Sequence, residues 1–229
     1  MRVALDEQIF AIQRYGGISR LFAELARQFV LHAAEDVDLA PLDAPIVNRY
    51  ILDHPELAGP LGAREARSEW TALARYMSRF SHAGKVDVVH NTFYLPHGLT
   101  PNKSAKRVVT IHDMIPELMP HTRRRLDWLT LKRRYVDTAD HVICVSEATR
   151  NDLLRVYGDL KAPVSVVHHG VADRFHPGAP RLDFLPDRYI LFVGNRDQYK
   201  DANVLFQAFA DVVRDHDDLH LLCVGGTGL

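Results

Sequence analysis

The chain has few of the features that would place it in a specialised class of protein. Its only two cysteines, Cys144 and Cys223, each lie in an apolar run that predicts a buried strand. Two isolated buried thiols are typical of a reducing cytosol and not of a disulfide framework. The N-terminus lacks signal-peptide character, and no window approaches the ~20 apolar residues of a membrane span. We therefore expect a cytoplasmic protein.

The basic and acidic residues are also nearly equal in number. The 28 basic and 29 acidic residues give a formal net charge of −1, so no global field attracts nucleic acid or an anionic membrane. Any basic site must therefore be local. With 47% apolar and 25% charged residues, the 229-residue chain has the composition of a globular protein of one or two domains.

Motifs for metals and dinucleotides are also absent. The 13 histidines form no His-Glu-x-x-His or His-x-His pattern, and there is no Cys-x-x-Cys, so we expect no metal. Asp-x-Asp occurs at residues 36–38 and 215–217, but both copies lie just before predicted strands and are interpreted as solvated turns. Without Gly-x-Gly-x-x-Gly, a nicotinamide dinucleotide site is disfavoured.

Strand and helix patterns alternate, which predicts parallel sheets in an α/β fold. The predicted strands cover residues 2–6, 37–42, 86–90, 107–112, 141–145, 163–168, 189–193 and 219–224. The predicted helices begin at Ile18 and Ser146 and also cover residues 64–82, 123–139 and 202–214. The apolar stripe of the helix at 64–82 is predicted to be core, and its members are Trp70, Leu73, Ala74, Met77 and Phe80.

Proline and glycine cluster in residues 173–187, which we interpret as a linker between a domain at 1–172 and a second one beginning at residue 188. The second domain contains only β-α-β before Leu229. Because a lone β-α-β cannot cover both faces of a parallel sheet, we expect one of two situations. Either a longer protein was shortened, or this unit packs on the first domain or on a partner chain.

Two turns combine glycine with the start of a helix. The first contains Gly16 and Gly17, and the second contains Gly194, Arg196 and Lys200. A helix N-terminus offers free N–H groups and a positive dipole end, arginine binds phosphate in a fork, and lysine acts as a point charge. Taken alone, each turn is equally compatible with an ordinary loop and solvated charges.

Polar residues follow three of the predicted strands. These are His90 with Asn91, His112 with Asp113, and Ser146 with Glu147, where Ser146 is a predicted N-cap. Ligands of open parallel sheets bind beyond the carboxyl ends of the strands, so these residues are candidates for a substrate cleft. The alternative is that each pair simply caps the helix that follows.

The predicted helix at 123–139 carries six cations, which are Arg123, Arg124, Arg125, Lys132, Arg133 and Arg134. One interpretation is a solvated face of an amphipathic helix. The other is a basic patch that contacts an anionic membrane surface or an acceptor.

Five short motifs occur in one order along nearly the whole chain. They are Tyr-Gly-Gly-Ile-Ser-Arg at 15–20, Val-Val-Thr-Ile-His-Asp at 108–113, His-Val-Ile-Cys-Val-Ser-Glu at 141–147, His-His-Gly-Val at 168–171 and Val-Gly-Asn-Arg-Asp-Gln-Tyr-Lys-Asp at 193–201. In these motifs the chain resembles the retaining glycosyltransferases of family four, which have two Rossmann-like domains (the GT-B fold). The resemblance implies a doubly wound parallel N-terminal domain, followed by the first β-α-β of a second Rossmann-like domain.

The resemblance also implies roles for particular residues. Gly16 and Gly17 would approach the donor diphosphate and the acceptor, His112 would lie near the transferred sugar as the catalytic residue, and Arg196 and Lys200 would hold the diphosphate. The donor would sit in the cleft between the domains. The cations and the helix N-terminus would stabilise the departing phosphate without a metal.

The function that follows from the resemblance is transfer of a hexose, mannose or glucose, from a nucleoside-diphosphate sugar to a glycan or lipid-linked acceptor, as in polysaccharide biosynthesis. Contact with the inner face of the membrane would use the helix at 123–134. Family members carry a pair of donor-binding glutamates that this chain does not reach, so we expect weak or no transferase activity from the 229-residue species. The alternatives are a non-catalytic binding half of such an enzyme, or another Rossmann-type enzyme such as an epimerase or reductase.

Overall fold

The computed structural model describes residues 1–32, 35–77, 85–99, 105–119, 129–173, 175–194, 196 and 200–225. The chain divides into two compact units, Met1–His169 and Gly170–Leu229, which are described separately. The described residues of the predicted linker at 173–187 contain no helix or strand.

The first unit contains six parallel strands among its described residues. They are β1 (Arg2–Leu5), β2 (Asp38–Leu39), β3 (Val88–Asn91), β4 (Lys106–Ile111), β5 (His141–Cys144) and β6 (Val164–Val166). The helices are α1 (Gln8–Ile12), α2 (Gly17–His32), α3 (Arg49–Leu52), α4 (Pro55–Ala58), α5 (Glu69–Met77), α6 (Ile115–Leu118), α7 (Leu129–Asp137) and α8 (Glu147–Tyr157), with a 3-10 turn at Pro96–Leu99.

The strand order is β2-β1-β3-β4-β5-β6, and every neighbouring pair is parallel. The order reverses direction between β1 and β3, so the carboxyl ends of these two strands border the switch point of the sheet. Leu5 pairs with His90, and Asn91 pairs with Val109. This topology confirms the doubly wound parallel prediction and brings the polar residues after the strands to one edge.

Two predicted elements are shorter than expected because backbone amides at one end of each donate hydrogen bonds to other segments of the chain. β2 ends at Leu39 because the Leu42 amide donates to the Leu61 carbonyl, 2.8 Å away, instead of continuing the sheet. α5 begins at Glu69 and not at residue 64 because the Ala66 amide donates to Ile46, also at 2.8 Å. Residues 78–82 of the predicted helix lie outside the described residues.

Apolar side chains pack on both faces of this sheet. One cluster includes Phe10 and Phe22, and another includes Ile111, Tyr135 and Leu153, all fully buried. The predicted core stripe on α5 is wrong at two positions, since Trp70 is 81% exposed and Ala74 is also exposed, whereas Ala72 is completely buried. Helical periodicity located the helix but not the face that meets α1.

The second unit contains β7 (Arg188–Val193), α9 (Ala202–Val212) and β8 (Leu219–Val224), with β7 and β8 parallel. This arrangement is the β-α-β expected from the sequence. Its strands are largely exposed, and Val193 keeps 63% of its surface accessible. Cys223 is also exposed, so the prediction that both cysteines are buried holds only for Cys144. The strands of this unit are exposed because α9 can cover only one face of the two-stranded sheet.

A buried ion pair joins α7 to α6 behind the carboxyl end of β4. Lys132 Nζ lies 3.0 Å from Glu117 Oε2, and the side chains are only 6% and 5% exposed. The same ammonium donates to the Asp113 carbonyl at 3.0 Å, and the Tyr157 hydroxyl donates to Glu117 at 3.1 Å. Every charge of the pair is therefore matched inside the protein, as a buried ion pair requires.

We predict that Lys132→Met destabilises the first unit by about 3–5 kcal/mol, because it leaves the Glu117 carboxylate buried without its cation. Urea denaturation measures the loss. Adding Glu117→Gln removes the carboxylate charge that lacks its cation and keeps an acceptor for the Tyr157 hydroxyl. The double variant should therefore recover much of the lost stability. Lys106→Ala is the control, since the Lys106 side chain is 74% exposed beside Asp140 and its loss should change little.

Candidate functional site

Two histidines lie at the carboxyl edge of the sheet, on neighbouring strands. His90 is buried near the end of β3, and His112 directly follows β4. Phe22 of α2, which is fully buried, packs against both of them. Its ring centroid is 5.1 Å from that of His90 and 6.1 Å from that of His112, and both ring pairs are nearly perpendicular. One aromatic side chain thus contacts both imidazoles.

The imidazole of His90 is held in place and kept neutral. Its Nε2 lies 2.8 Å from the hydroxyl of Thr110 on β4. Burial lowers the pKa of His90 to about 4, because the charged form would lose its hydration next to Phe22. His90 therefore packs as a neutral ring at physiological pH.

The imidazole of His112 differs because one of its nitrogens is unused. Its Nε2 is buried and has no hydrogen-bond partner in the described part of the chain. Burial, with smaller contributions from His169, His90 and Lys132, lowers the pKa of His112 to about 3. A buried polar atom without a partner costs ~1–3 kcal/mol, so this nitrogen is suited to a ligand hydroxyl that would pair with it.

Asn91, predicted to line the cleft, is instead part of a buried network around Asp6. The Asp6 carboxylate has no exposed surface and accepts hydrogen bonds from the side chains of Asn91 and Gln8. It also accepts from the amide of Thr92 at 2.9 Å and from its hydroxyl at 2.7 Å. The buried Asn91 side chain therefore links the end of β3 to Asp6, the residue that follows β1. The sequence signal for this network was polar residues directly after the first strand.

Asp113 and Ser146 each accept from an amide in the first turn of the next helix, but only Ser146 is the N-cap, since the N-cap of α6 is Met114. Asp113 Oδ1 accepts from the Ile115 amide at 3.1 Å. Ser146 Oγ accepts from the Thr149 amide at 3.1 Å, which confirms the predicted N-cap of α8. Glu147 is exposed and forms an ion pair with Arg150 at 3.3 Å.

The Gly16-Gly17 turn is closely packed at Gly16 and open at Gly17. Gln13 Oε1 accepts from the Ser19 amide at 3.2 Å, and a Cβ added to Gly16 would lie 2.3 Å from that oxygen. A Cβ added to Gly17 would meet nothing within 4 Å. Gly17 is the first residue of α2, so open space adjoins the N-terminal turn of a 16-residue helix.

The second glycine turn brings two cations to the carboxyl end of β7. Gly194 has φ +137°, and its amide donates to the Val224 carbonyl at 2.8 Å. A Cβ at Gly194 would lie only 2.8 Å from Lys200 Nζ, so glycine allows the ammonium to approach the backbone. Arg196 donates to the Gly225 carbonyl at 2.9 Å. The structure therefore places all three predicted residues in one turn, just before α9.

The basic helix is described only from Leu129, and Arg123, Arg124 and Arg125 lie outside the described residues. In the remainder, Lys132 is buried against Glu117, and Arg133 bonds Asp137 at 2.8 Å. Lys132 is therefore not part of a surface patch. No helix in the described ranges is long and apolar enough to cross a membrane. The same residues contain no group of three or more His, Cys, Asp or Glu side chains arranged for a metal.

Residues 15–175 match the model of the family described as Glycosyltransferase Family 4. The chain is 30% identical over 198 residues to an alpha-maltose-1-phosphate synthase of Mycolicibacterium smegmatis, covering 80% of this chain and 48% of that protein. It is 36% identical over 85 residues to a D-inositol 3-phosphate glycosyltransferase of Catenulispora acidiphila, covering 34% and 20%. The chain thus spans about half or less of these relatives.

A solved structure has a similar fold. The sucrose-phosphate synthase of Thermosynechococcus elongatus superposes with a TM-score of 0.59 at 17% identity, covering all of this chain and 63% of that one. At this identity the likeness concerns the fold alone, and it agrees with the parallel Rossmann-like sheet described above.

We predict that the stability of the chain falls as the pH drops from 7.5 to 5. The unfolded chain binds protons at His90 and His112 near the ordinary histidine pKa of about 6.5, whereas the folded state holds both neutral until about pH 4 and 3. Each histidine should cost about 2 kcal/mol of unfolding free energy at pH 5. Urea denaturation at the two pH values measures the slope.

His112→Asn should flatten this dependence by the contribution of one histidine, because asparagine does not titrate. Equal slopes for His112→Asn and the unchanged chain would contradict the assignment of a neutral His112 with a buried Nε2.

Proposed function

Because the chain belongs to glycosyltransferase family 4, we propose that it transfers a hexose from a nucleoside-diphosphate sugar to an acceptor hydroxyl, with retention of configuration. The observation that carries this proposal is the buried Nε2 of neutral His112 at the carboxyl edge of the sheet, which has no hydrogen-bond partner among the described residues. A sugar hydroxyl both donates and accepts, so it can pair with this nitrogen in either tautomer. His112 would thereby orient the sugar being transferred.

The donor diphosphate is assigned to the turn that contains Gly194, Arg196 and Lys200. Cleavage of the sugar–phosphate bond leaves negative charge on the departing diphosphate, and these two cations would stabilise it as it develops. The N-terminus of α9 follows directly and adds its dipole. We therefore propose a reaction that needs no metal to neutralise the leaving group.

The open first turn of α2 is assigned to the substrates on the side of the first unit. Gly17 leaves space beside the helix N-terminus, whose first N–H groups have no partner within the helix, although the Ser19 amide donates to Gln13. An anionic group, such as a donor phosphate or a phosphorylated acceptor, is the class of ligand that this position favours.

For the donor sugar we propose mannose or glucose, and for the acceptor a glycan or a lipid-linked sugar, with cytoplasmic location and peripheral contact with the membrane through the basic segment at 123–134, apart from the buried Lys132. The names of the two relatives supply a second acceptor class. One is a maltose-1-phosphate synthase and the other an inositol 3-phosphate glycosyltransferase, so both names contain a phosphorylated sugar or cyclitol. A small phosphorylated acceptor therefore belongs in any assay of this chain.

The alternative is a binding half that holds a nucleotide sugar or an acceptor without catalysing transfer. A transfer assay with radiolabelled UDP-glucose and GDP-mannose separates the two. Donor binding without transfer would favour the binding half. Transfer that His112→Ala abolishes while donor binding persists would favour the enzyme.

We predict that Arg196→Ala with Lys200→Ala abolishes detectable stabilisation by UDP-glucose or GDP-mannose. A ligand at a hundred times its dissociation constant raises the unfolding free energy by about 2.7 kcal/mol. Each lost charged contact is worth ~1.5–3 kcal/mol, so the double variant should bind at least a hundredfold more weakly. A thermal-shift panel of nucleoside diphosphates and nucleotide sugars measures the effect.

Arg188→Ala with Arg214→Ala is the matched control, since it also removes two arginine or lysine charges from the second unit. Arg188 pairs with Asp218 at 2.6 Å, and Arg214 lies beside Asp211 at 3.5 Å. This control should keep the ligand-induced shift. An intact shift in the Arg196/Lys200 variant would show that the diphosphate binds elsewhere.

A further inference from the structure

Two tyrosines and an arginine form a cluster beside the Gly16-Gly17 turn. The rings of Tyr15 and Tyr50 meet edge to face, with centroids 5.5 Å apart and an angle of 80° between their planes. The guanidinium of Arg20 lies 5.9 Å from the centroid of the Tyr50 ring. We call these three residues the Tyr15 platform.

Tyr15 is 62% exposed, although the backbone that carries it is well anchored. The Arg49 amide donates to the Arg14 carbonyl at 3.0 Å, and the buried Asn48 side chain donates to the Gln13 carbonyl at 2.9 Å. A tyrosine on a fixed loop presents a large amphipathic surface with little conformational freedom to lose on binding. Tyr15 is therefore suited to stack against a ligand ring.

Arg20 adds a cation whose hydrogen-bonding groups are available. Its Nε is 4.0 Å from a Glu24 oxygen, beyond hydrogen-bond distance, and its side chain makes no hydrogen bond within the described ranges. The Tyr50 ring attracts the guanidinium by a cation–π interaction and so restrains its position. Arginine in this setting favours phosphate or carboxylate oxygens. The platform therefore combines a ring-stacking surface with an anion-binding group.

The platform and His112 both adjoin α2. The platform lies beside the first turn of this helix, and Phe22 is six residues after Gly16, in the second turn. The ring of Phe22 is 6.1 Å from that of His112. The platform and the His112 imidazole are therefore both positioned by the first two turns of α2.

From this geometry we propose that the Tyr15 platform is an acceptor subsite for a sugar phosphate or cyclitol phosphate. The apolar C–H face of the ring would stack on Tyr15, and Arg20 would bind the phosphate. The assignment of this ligand as the acceptor rests on the transferase function proposed above.

The test measures binding of glucose 1-phosphate and myo-inositol 3-phosphate to the full chain by ligand-observed NMR titration, with glucose as the uncharged probe. Tyr15→Ala should weaken binding of both phosphates by about tenfold, the upper range for the loss of one aromatic contact. Tyr15→Phe keeps the ring and should bind within about twofold of the unchanged chain. Arg20→Gln should weaken both phosphates but leave the weaker binding of glucose unchanged. Tyr189→Ala, at an exposed tyrosine of the second unit, is the control and should have no effect.

The proposal is overturned if neither phosphate binds the unchanged chain, or if Tyr15→Ala and Tyr189→Ala behave alike. A thermal shift with UDP-glucose and GDP-mannose, run on the same samples, keeps the two proposals separate. If a nucleotide sugar raises the melting temperature but neither glucose 1-phosphate nor myo-inositol 3-phosphate binds, only the platform proposal is rejected. Tyr15-dependent phosphate binding without any donor shift rejects the transferase assignment and supports the platform as a sugar-phosphate site.

Discussion

The first unit depends on the buried carboxylate of Asp6. A buried charge must be matched by hydrogen bonds, and Asp6 obtains them from Gln8 after β1 and from Asn91 and Thr92 at the end of β3. These two strands are adjacent where the strand order reverses. The carboxylate therefore fixes the position of the chain where it leaves β1, and with it the start of α1 and the turn that leads into α2.

From that starting point, α2 links the two parts of the candidate site. Its first turn is open at Gly17, and Phe22, further along the same helix, packs against the rings of both His90 and His112. Burial keeps both imidazoles neutral. Neutral histidines suit the orientation of hydroxyl groups. Under the proposed function, Arg196 and Lys200 in the second unit would supply the charge needed against a diphosphate.

Much of the fold could be predicted because its signals are local. Apolar runs of strand length located β3 to β8 to within a few residues, and alternation with helices implied parallel pairing. Ser146 was recognised as an N-cap because the residue type and its position before a helix suffice. The grouping of Gly194, Arg196 and Lys200 was equally local, since a turn of seven residues keeps them together.

The sequence alone determined which elements form and which residues follow each strand, because periodicity, turn residues and capping act over a few positions. Only the tertiary structure decided which of those residues face inward. Asn91 became an internal support and Lys132 half of a buried ion pair, whereas Trp70 and Cys223 point to solvent. Burial is set by contacts between distant segments, such as α7 against α6 or β1 against β3. Those contacts, and the His112 nitrogen that lacks a partner in the described part of the chain, have no counterpart in the local sequence pattern.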